Sequence, residues 1–264
     1  MEGIERAGFE AWYEAVGQAG LPDFDWSLVR VGDALCSVCP SEPSILVNRV
    51  FGPGPGSSPT LDDLVEIREI YLEAGITRFF LHVLPDNDDP GLEDRLMEAG
   101  FRRYRGWMKF ARGPGPVPDA QTDLTVRRIF GANADAFAAI VTGAFDLRPS
   151  TRPAVAALAG AEGWWLYMAF DGDTPAGTGA LFMRDGMGSL DWGATAPRFR
   201  RRGSQSAILR MRLKDAFGAG CEQVVTMTGE AVPGEEQVSY ANILKAGFDE
   251  RYLRENWVPA GAGV

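Results

Sequence analysis

Apolar residues recur at three- and four-residue spacing over positions 4–19, where Ile4, Phe9, Trp12, Tyr13 and Val16 form one stripe, and the pattern predicts an amphipathic helix. Alternation then takes over. Positions 28–31 and 34–38 read as strands turned by Gly32-Asp33, and 44–51 as a third strand. Positions 61–73 read as a helix with Thr60 as N-cap and Gly75 as its stop. A strand over 78–84, a helix over 91–98 stopped by Gly100 and a strand over 101–111 complete the first half. In the second half, a strand over 124–128 precedes helices over 132–145 and 152–158. Strands over 164–170, 176–184 and 189–195 follow, joined by the turn residues Asp171-Gly-Asp173 and Asp185-Gly186. A helix beginning near Ser204 carries Leu209, Leu213, Ala216 and Phe217 on one face. A strand over 221–228, a helix over 240–246 stopped by Gly247 and a strand over 251–258 close the chain.

Between the halves, Arg112-Gly-Pro-Gly-Pro-Val-Pro-Asp119 has linker chemistry. The expected organisation is therefore a unit over 1–112, a linker over 113–123 and a unit over 124–264. The two halves also echo each other. Glu73-Ala-Gly75, a strand, then Glu98-Ala-Gly-Phe-Arg-Arg-Tyr104 and Trp107 match Gly218-Ala-Gly220, a strand, then Lys245-Ala-Gly-Phe-Asp-Glu-Arg-Tyr252 and Trp257. This similarity reads as a two-copy duplication.

Composition narrows the possibilities without choosing among them. At 264 residues, 45% hydrophobic and 23% charged, the chain is long enough for two modest domains. A formal charge of −10 argues against non-specific binding to nucleic acid or an anionic membrane. No apolar run suits a membrane helix, and Met1-Glu-Gly-Ile-Glu-Arg6 lacks the basic start and apolar core of a signal peptide, so the expected location is the cytoplasm. Cys36-Ser-Val-Cys39 has no second pair to complete a zinc site, Cys221 reads as a core residue, and His82, the only histidine, reads as part of a strand. No metal is expected.

The stretch that breaks the acidic pattern is Thr195-Ala-Pro-Arg-Phe-Arg200-Arg-Arg-Gly203-Ser-Gln-Ser206, where four arginines fall within five positions at the start of a helix. A helix N-terminus offers unpaired N–H groups and the positive end of its dipole, and Gly203 lets a ligand approach, so a phosphate site is expected. The segment Arg200-Arg-Arg-Gly203-Ser-Gln205 resembles the acyl-CoA loop of the GNAT acetyltransferase superfamily, Arg/Gln-x-x-Gly-x-Gly/Ala, except that Gln205 stands where a small residue is usual. The element order over 124–259 and the closing segment Asn242-Ile-Leu-Lys-Ala-Gly247-Phe248 agree with that resemblance.

The resemblance implies a tandem α/β (α+β) GNAT-like fold. Its mixed, mostly antiparallel twisted sheet would be flanked by helices, with splayed parallel central strands in the second half and a degenerate copy in the first. It also implies an acetyl-CoA-dependent N-acetyltransferase acting on a small-molecule amine, as a monomer or homodimer. The expected cofactor contacts are Thr195, Ala196, Pro197, Arg200, Arg201, Arg202, Gly203, Ser204, Gln205, Ser206 and Asn242. Many members place a tyrosine four positions before the glycine of the Gly-Phe pair; here that position is Ile243, which makes Tyr240 the candidate acid. Glu230 and Asp191 are the candidate bases, and loops 144–152 and 229–239 the expected determinants of the acceptor. The alternatives are a non-catalytic acyl-CoA sensor and an interaction module.

Overall fold

The computed structural model describes residues 1–52, 58–84, 89–235 and 237–262. Eleven strands and seven α-helices are found among them. The first part of the chain forms α1 (Glu2–Ala19), β1 (Ser27–Val31), β2 (Ala34–Val38), β3 (Arg49–Phe51), α2 (Leu61–Glu73), β4 (Phe80–Val83), α3 (Leu92–Glu98) and β5 (Phe101–Arg112). The second part forms β6 (Thr125–Ile129), α4 (Ala134–Ala144), α5 (Arg152–Ala156), β7 (Trp164–Asp171), β8 (Thr174–Arg184), β9 (Met187–Thr195), α6 (Ser204–Gly218), β10 (Gln223–Gly229), α7 (Val238–Lys245) and β11 (Asp249–Pro259). None of the helices among the described residues is long and apolar enough to cross a membrane.

The chain forms two compact units whose limits differ from the expected 1–112 and 124–264. Unit I is Met1–Leu21 with Lys109–Arg251; unit II is Pro22–Met108 with Tyr252–Val264. The linker composition marks a chain segment, but it does not mark where packing changes. The first helix belongs with the second half of the chain, and most of the last strand belongs with the first half. In unit II the order is β1-β2-β3-β4-β11-β5, and in unit I it is β5-β10-β9-β8-β7-β6, with β5 and β11 each divided between the units. Each is an open, mixed sheet.

The larger apolar core of unit II is gathered from Val31, Cys36, Val50, Leu64, Ile67, Tyr71, Phe79, Leu81, Leu96 and Phe101, and completed by Trp257 from β11, while Phe80, Val258 and Ala262 form a second cluster. Thr60 caps α2 as anticipated. Its hydroxyl accepts from the Asp63 N–H at 3.1 Å, and the Thr60 N–H donates to the Asp63 carboxylate at 2.8 Å. The expected strand over 44–51 is shorter, because the Ser44 carbonyl accepts from the N–H groups of Val47 and Asn48 and winds that segment into a turn. Residues 53–57, in the Gly- and Pro-rich sequence between β3 and α2, lie outside the described residues. His82 is buried in β4 with Nδ1 2.8 Å from Asn256 Oδ1. Burial pushes the Cys36 thiol up to about 12 and the Cys39 thiol to about 11.

The duplication is visible in the hydrogen bonds. After α2, Gly75 N–H donates to Leu72 O and Ile76 N–H to Tyr71 O. After α6, Gly220 donates to Phe217 and Cys221 to Ala216. Gly75, Gly100, Gly220 and Gly247 all stand at left-handed φ, between 72° and 90°. In unit II, β3 runs parallel to β4 with α2 between them; in unit I, β9 runs parallel to β10 with α6 between them.

Helices cover both faces of the unit I sheet. A Cβ at Gly179 of β8 would fall 2.6 Å from Ile208 of α6, whereas Phe182 of the same strand lies 3.1 Å from where a Cβ at Gly8 of α1 would stand. Side chains alternate along a strand, so these odd and even positions look to opposite faces.

Candidate functional site

The site begins where β9 and β10 part. They pair in parallel only at Gln223↔Met187, Val224↔Gly188 and Val225↔Ser189, although β9 runs on to Thr195 and β10 to Gly229. Just beyond the last pair, the Thr226 hydroxyl donates to the Leu190 carbonyl at 3.1 Å and caps a group the ladder no longer serves.

A bulge on β9 accompanies the parting. Thr178 faces Ala194 and Ala180 faces Asp191, so β9 carries one residue more than β8 between those pairs. Trp192 takes up the extra length at φ 54°, a left-handed conformation unusual for a bulky residue. Arg212 of α6 holds the bulge from the other side of the sheet, donating from Nη1 to Ala180 O at 3.0 Å and Asp191 O at 3.1 Å. Burial lowers the Arg212 pKa to about 10, an effect that the Asp191 carboxylate offsets. Gly177 and Gly179 admit α6 this close: a Cβ at Gly177 would fall onto the Ser204 hydroxyl, and one at Gly179 would lie 2.9 Å from Arg212 Cζ.

The loop after β9 then turns sharply. Arg201 at φ 63° and Gly203 at φ 76° are both left-handed, and α6 starts at Ser204 with no side chain capping it. Its first N–H groups therefore point out of the helix without intrahelical acceptors. Residues 121–123 brace the loop. The Gln121 carbonyl sits where a Cβ at Gly203 would go, the Thr122 hydroxyl donates to Arg202 O at 2.7 Å, and Asp123 accepts from Arg202 Nε at 3.2 Å. The Arg202 guanidinium also donates to Asp171 at 2.9 Å, and these bonds hold both carboxyls below their usual range.

Loop, strand and α7 enclose a cavity of about 910 Å³. Thr195, Pro197, Arg200, Arg201, Gly203, Ser204, Gln205, Ser206 and Asn242 line it, as do Ala144, Phe145, Gly193, Ala194, Arg198, Phe199, Val238 and Ser239. No carboxylate is among these residues. Arg198, Arg200 and Arg201 are exposed and form no ion pair among the described residues, so three cations meet at an uncapped helix start. Gln205 joins the loop to α7. Its Oε1 accepts from Asn242 Nδ2 at 2.8 Å, and its Nε2 donates to the Ser239 hydroxyl at 3.3 Å.

No protein-family model and no curated protein sequence matches the chain. Solved structures do. A GCN5-related N-acetyltransferase from Kribbella flavida superposes with a TM-score of 0.64 at 16% identity, covering 97% of this chain and 95% of that one. A second, from Sphaerobacter thermophilus, gives 0.65 at 16% identity over 89% and 84%. A tandem GNAT protein from the clavulanic acid biosynthesis pathway gives 0.60 at 14% identity over 95% and 89%. The fold is that of the tandem GNAT proteins. At these identities the likeness shows the fold alone.

Within this GNAT fold, eleven expected cofactor contacts divide clearly. Nine line the cavity, whereas Ala196 does not and Arg202 turns its guanidinium to Asp123 and Asp171. None of the three catalytic candidates is in the cavity wall. Asp191 accepts from the Ser189 hydroxyl at 3.2 Å and faces the buried Arg212. Tyr240 donates to Glu250 at 2.6 Å and sets its ring edge-on to Phe110, with centroids 4.9 Å apart; burial and then Glu250 push its pKa up to about 12. Glu230 is half-buried directly after β10, at the end of the segment that leaves β9. Of the lining positions not among the expected contacts, Ala144, Phe145, Val238 and Ser239 fall in the two loops expected to shape the acceptor site.

Proposed function

We propose that this chain is an acyl-CoA-dependent N-acyltransferase that moves an acetyl group from acetyl-CoA to a small-molecule amine. One observation carries the reading: the cavity joins an uncapped helix start, three unpaired arginines and the stretch of β9 beyond its pairing with β10, with no carboxylate in its wall. That end suits a pyrophosphate and a ribose phosphate, which backbone N–H groups and guanidinium groups bind well. The β9 edge freed beyond Ser189 has main-chain groups to pair with the amide-bearing arm of CoA, and Thr195 stands on that edge.

In this reading, the acceptor nitrogen attacks the thioester carbon and forms a C–N bond. The carbonyl oxygen takes up negative charge, which a backbone N–H near Thr195 stabilises. The C–S bond then breaks, the thiolate leaves, and the proton from the nitrogen passes to a base. Glu230 is the base we assign, because it directly follows the strand that borders the gap. Tyr240, held protonated beside Glu250, is the acid we assign to the leaving sulfur, although a CoA thiol ionises near pH 8 and can leave unaided.

A sensor that binds acyl-CoA without turnover is the second reading. The commitment of the Tyr240 hydroxyl to Glu250 favours it. Release of free CoA thiol from acetyl-CoA over a panel of amines separates the two. The enzyme reading expects amine-dependent release rising with pH to about 8–9, as the acceptor ammonium with a pKa near about 10 loses its proton. Tight CoA binding with no amine-dependent release would establish the sensor instead.

A further inference from the structure

The arginines fix the polarity of the cavity. Phosphates belong at the loop, so the acyl end of a bound thioester belongs with the residues upstream on β9. The wall there is Ala144, Phe145, Gly193 and Ala194, with no charged or hydrogen-bonding side chain. Immediately behind it stands Trp192, the bulge residue at φ 54°. Its ring is wedged between two others: Trp12 lies edge-on with centroids 5.2 Å apart, and Phe145 edge-on at 5.8 Å. Trp12 cannot yield, because it is 1% exposed and its Nε1 donates to Ala154 O at 2.7 Å. Phe145 therefore has one side in the cavity and the other against a ring that is locked from behind.

A large aromatic held in a sparsely populated backbone conformation, at the end of a ligand cavity, is an outlier that calls for a function. We propose that Trp192, fixed by Trp12 and Phe145, limits the length of the acyl chain: the site admits an acetyl or propionyl group and excludes chains beyond about four carbons. The limit is steric, since rings packed at interior density leave no room for added methylenes. The inference rests on the acyl-CoA reading above. It also gives the N-terminal helix a part in substrate selection, because Trp12 comes from α1.

The test is the dissociation constant of the full chain for free CoA, acetyl-CoA, butyryl-CoA and hexanoyl-CoA, measured by calorimetry. The wild-type chain should bind acetyl-CoA at least tenfold more tightly than hexanoyl-CoA. Trp192→Gly removes the ring while keeping a residue at ease with left-handed φ, so the bulge persists. In that variant, hexanoyl-CoA should bind at least as well as acetyl-CoA, with free CoA unchanged within about threefold. Phe145→Ala, at a half-buried position outside the sheet, should shift the cutoff in the same direction and serves if Trp192→Gly melts early. A flat chain-length profile in the wild type, or an unshifted one in both variants, overturns this inference alone. Failure of the wild type to bind any of the four compounds overturns the acyl-CoA reading, and this inference with it.

Discussion

Arg212 is the single residue on which the shape of the site most depends. The β9 bulge opens the Ala180 and Asp191 carbonyls inside the sheet, and one buried guanidinium satisfies both. Arg212→Met keeps the volume but leaves two buried acceptors without donors, which should cost about 2–4 kcal/mol; the thermal midpoint of the full chain should fall by roughly 5–15 °C. Asp191 supplies the charge that offsets Arg212, so Asp191→Asn should also lower the midpoint while leaving kcat/KM within about threefold. Glu230→Gln should do the reverse, keeping the midpoint and lowering kcat/KM roughly 10–1,000-fold. If Asp191→Asn abolishes turnover at an unchanged midpoint, the roles are exchanged. At this scale the loop was legible, because glycine, arginine and a helix start are local signals. The Arg212 arrangement was not, since it depends on the register between β8 and β9, and neither the bulge nor the glycines at 177 and 179 announce which helix residue will reach them.

Among the elements, most helices and strands followed their periodicity. Thr60 capped α2, and each helix that was expected to stop at Gly75, Gly100 or Gly247 did so. The strand expected over 44–51 failed where Ser44 offered its carbonyl to a local turn, a competition that an apolar run does not reveal. The contact between α6 and α7 was equally hidden. Gln205 occupies the position where the loop pattern has a small residue, and its side chain ties Asn242 and Ser239 across the cavity. A ligand seated on the first turn of α6 competes with that tie. Gln205→Ala should therefore tighten CoA binding by about 2–5-fold, the worth of roughly one hydrogen bond. A weaker affinity in that variant would mean that Gln205 contacts the ligand.

For the molecule as a whole, the sequence showed two copies but not how the compact units divide the chain, because the exchanged pieces carry no mark of their destination. Unit I needs α1, which buries Ile4, Phe9, Trp12 and Val16 and pairs Glu5 with the buried Lys109 of β5. Unit II needs Trp257 and Val258 of β11. Cutting the chain in the linker deprives each unit of a core element. Residues 1–112 and 124–264 expressed separately should each lack a cooperative melt. Trp257→Ala in the full chain should cost about 3–5 kcal/mol. A sharp melt from either fragment would contradict this division.

Residues 198–206 are the proposed acyl-CoA phosphate site. Calorimetry of acetyl-CoA binding, on the wild-type chain and on Arg201→Gly with Arg200→Ala, tests it most directly. Glycine at position 201 preserves the left-handed turn while removing the charge, so any loss reports on the cations and not on loop geometry. One site per chain is expected in the wild type and affinity weaker by about 10–100-fold in the variant, with the gap narrowing as salt is raised. Unchanged affinity in that variant, or two sites per chain, would contradict it.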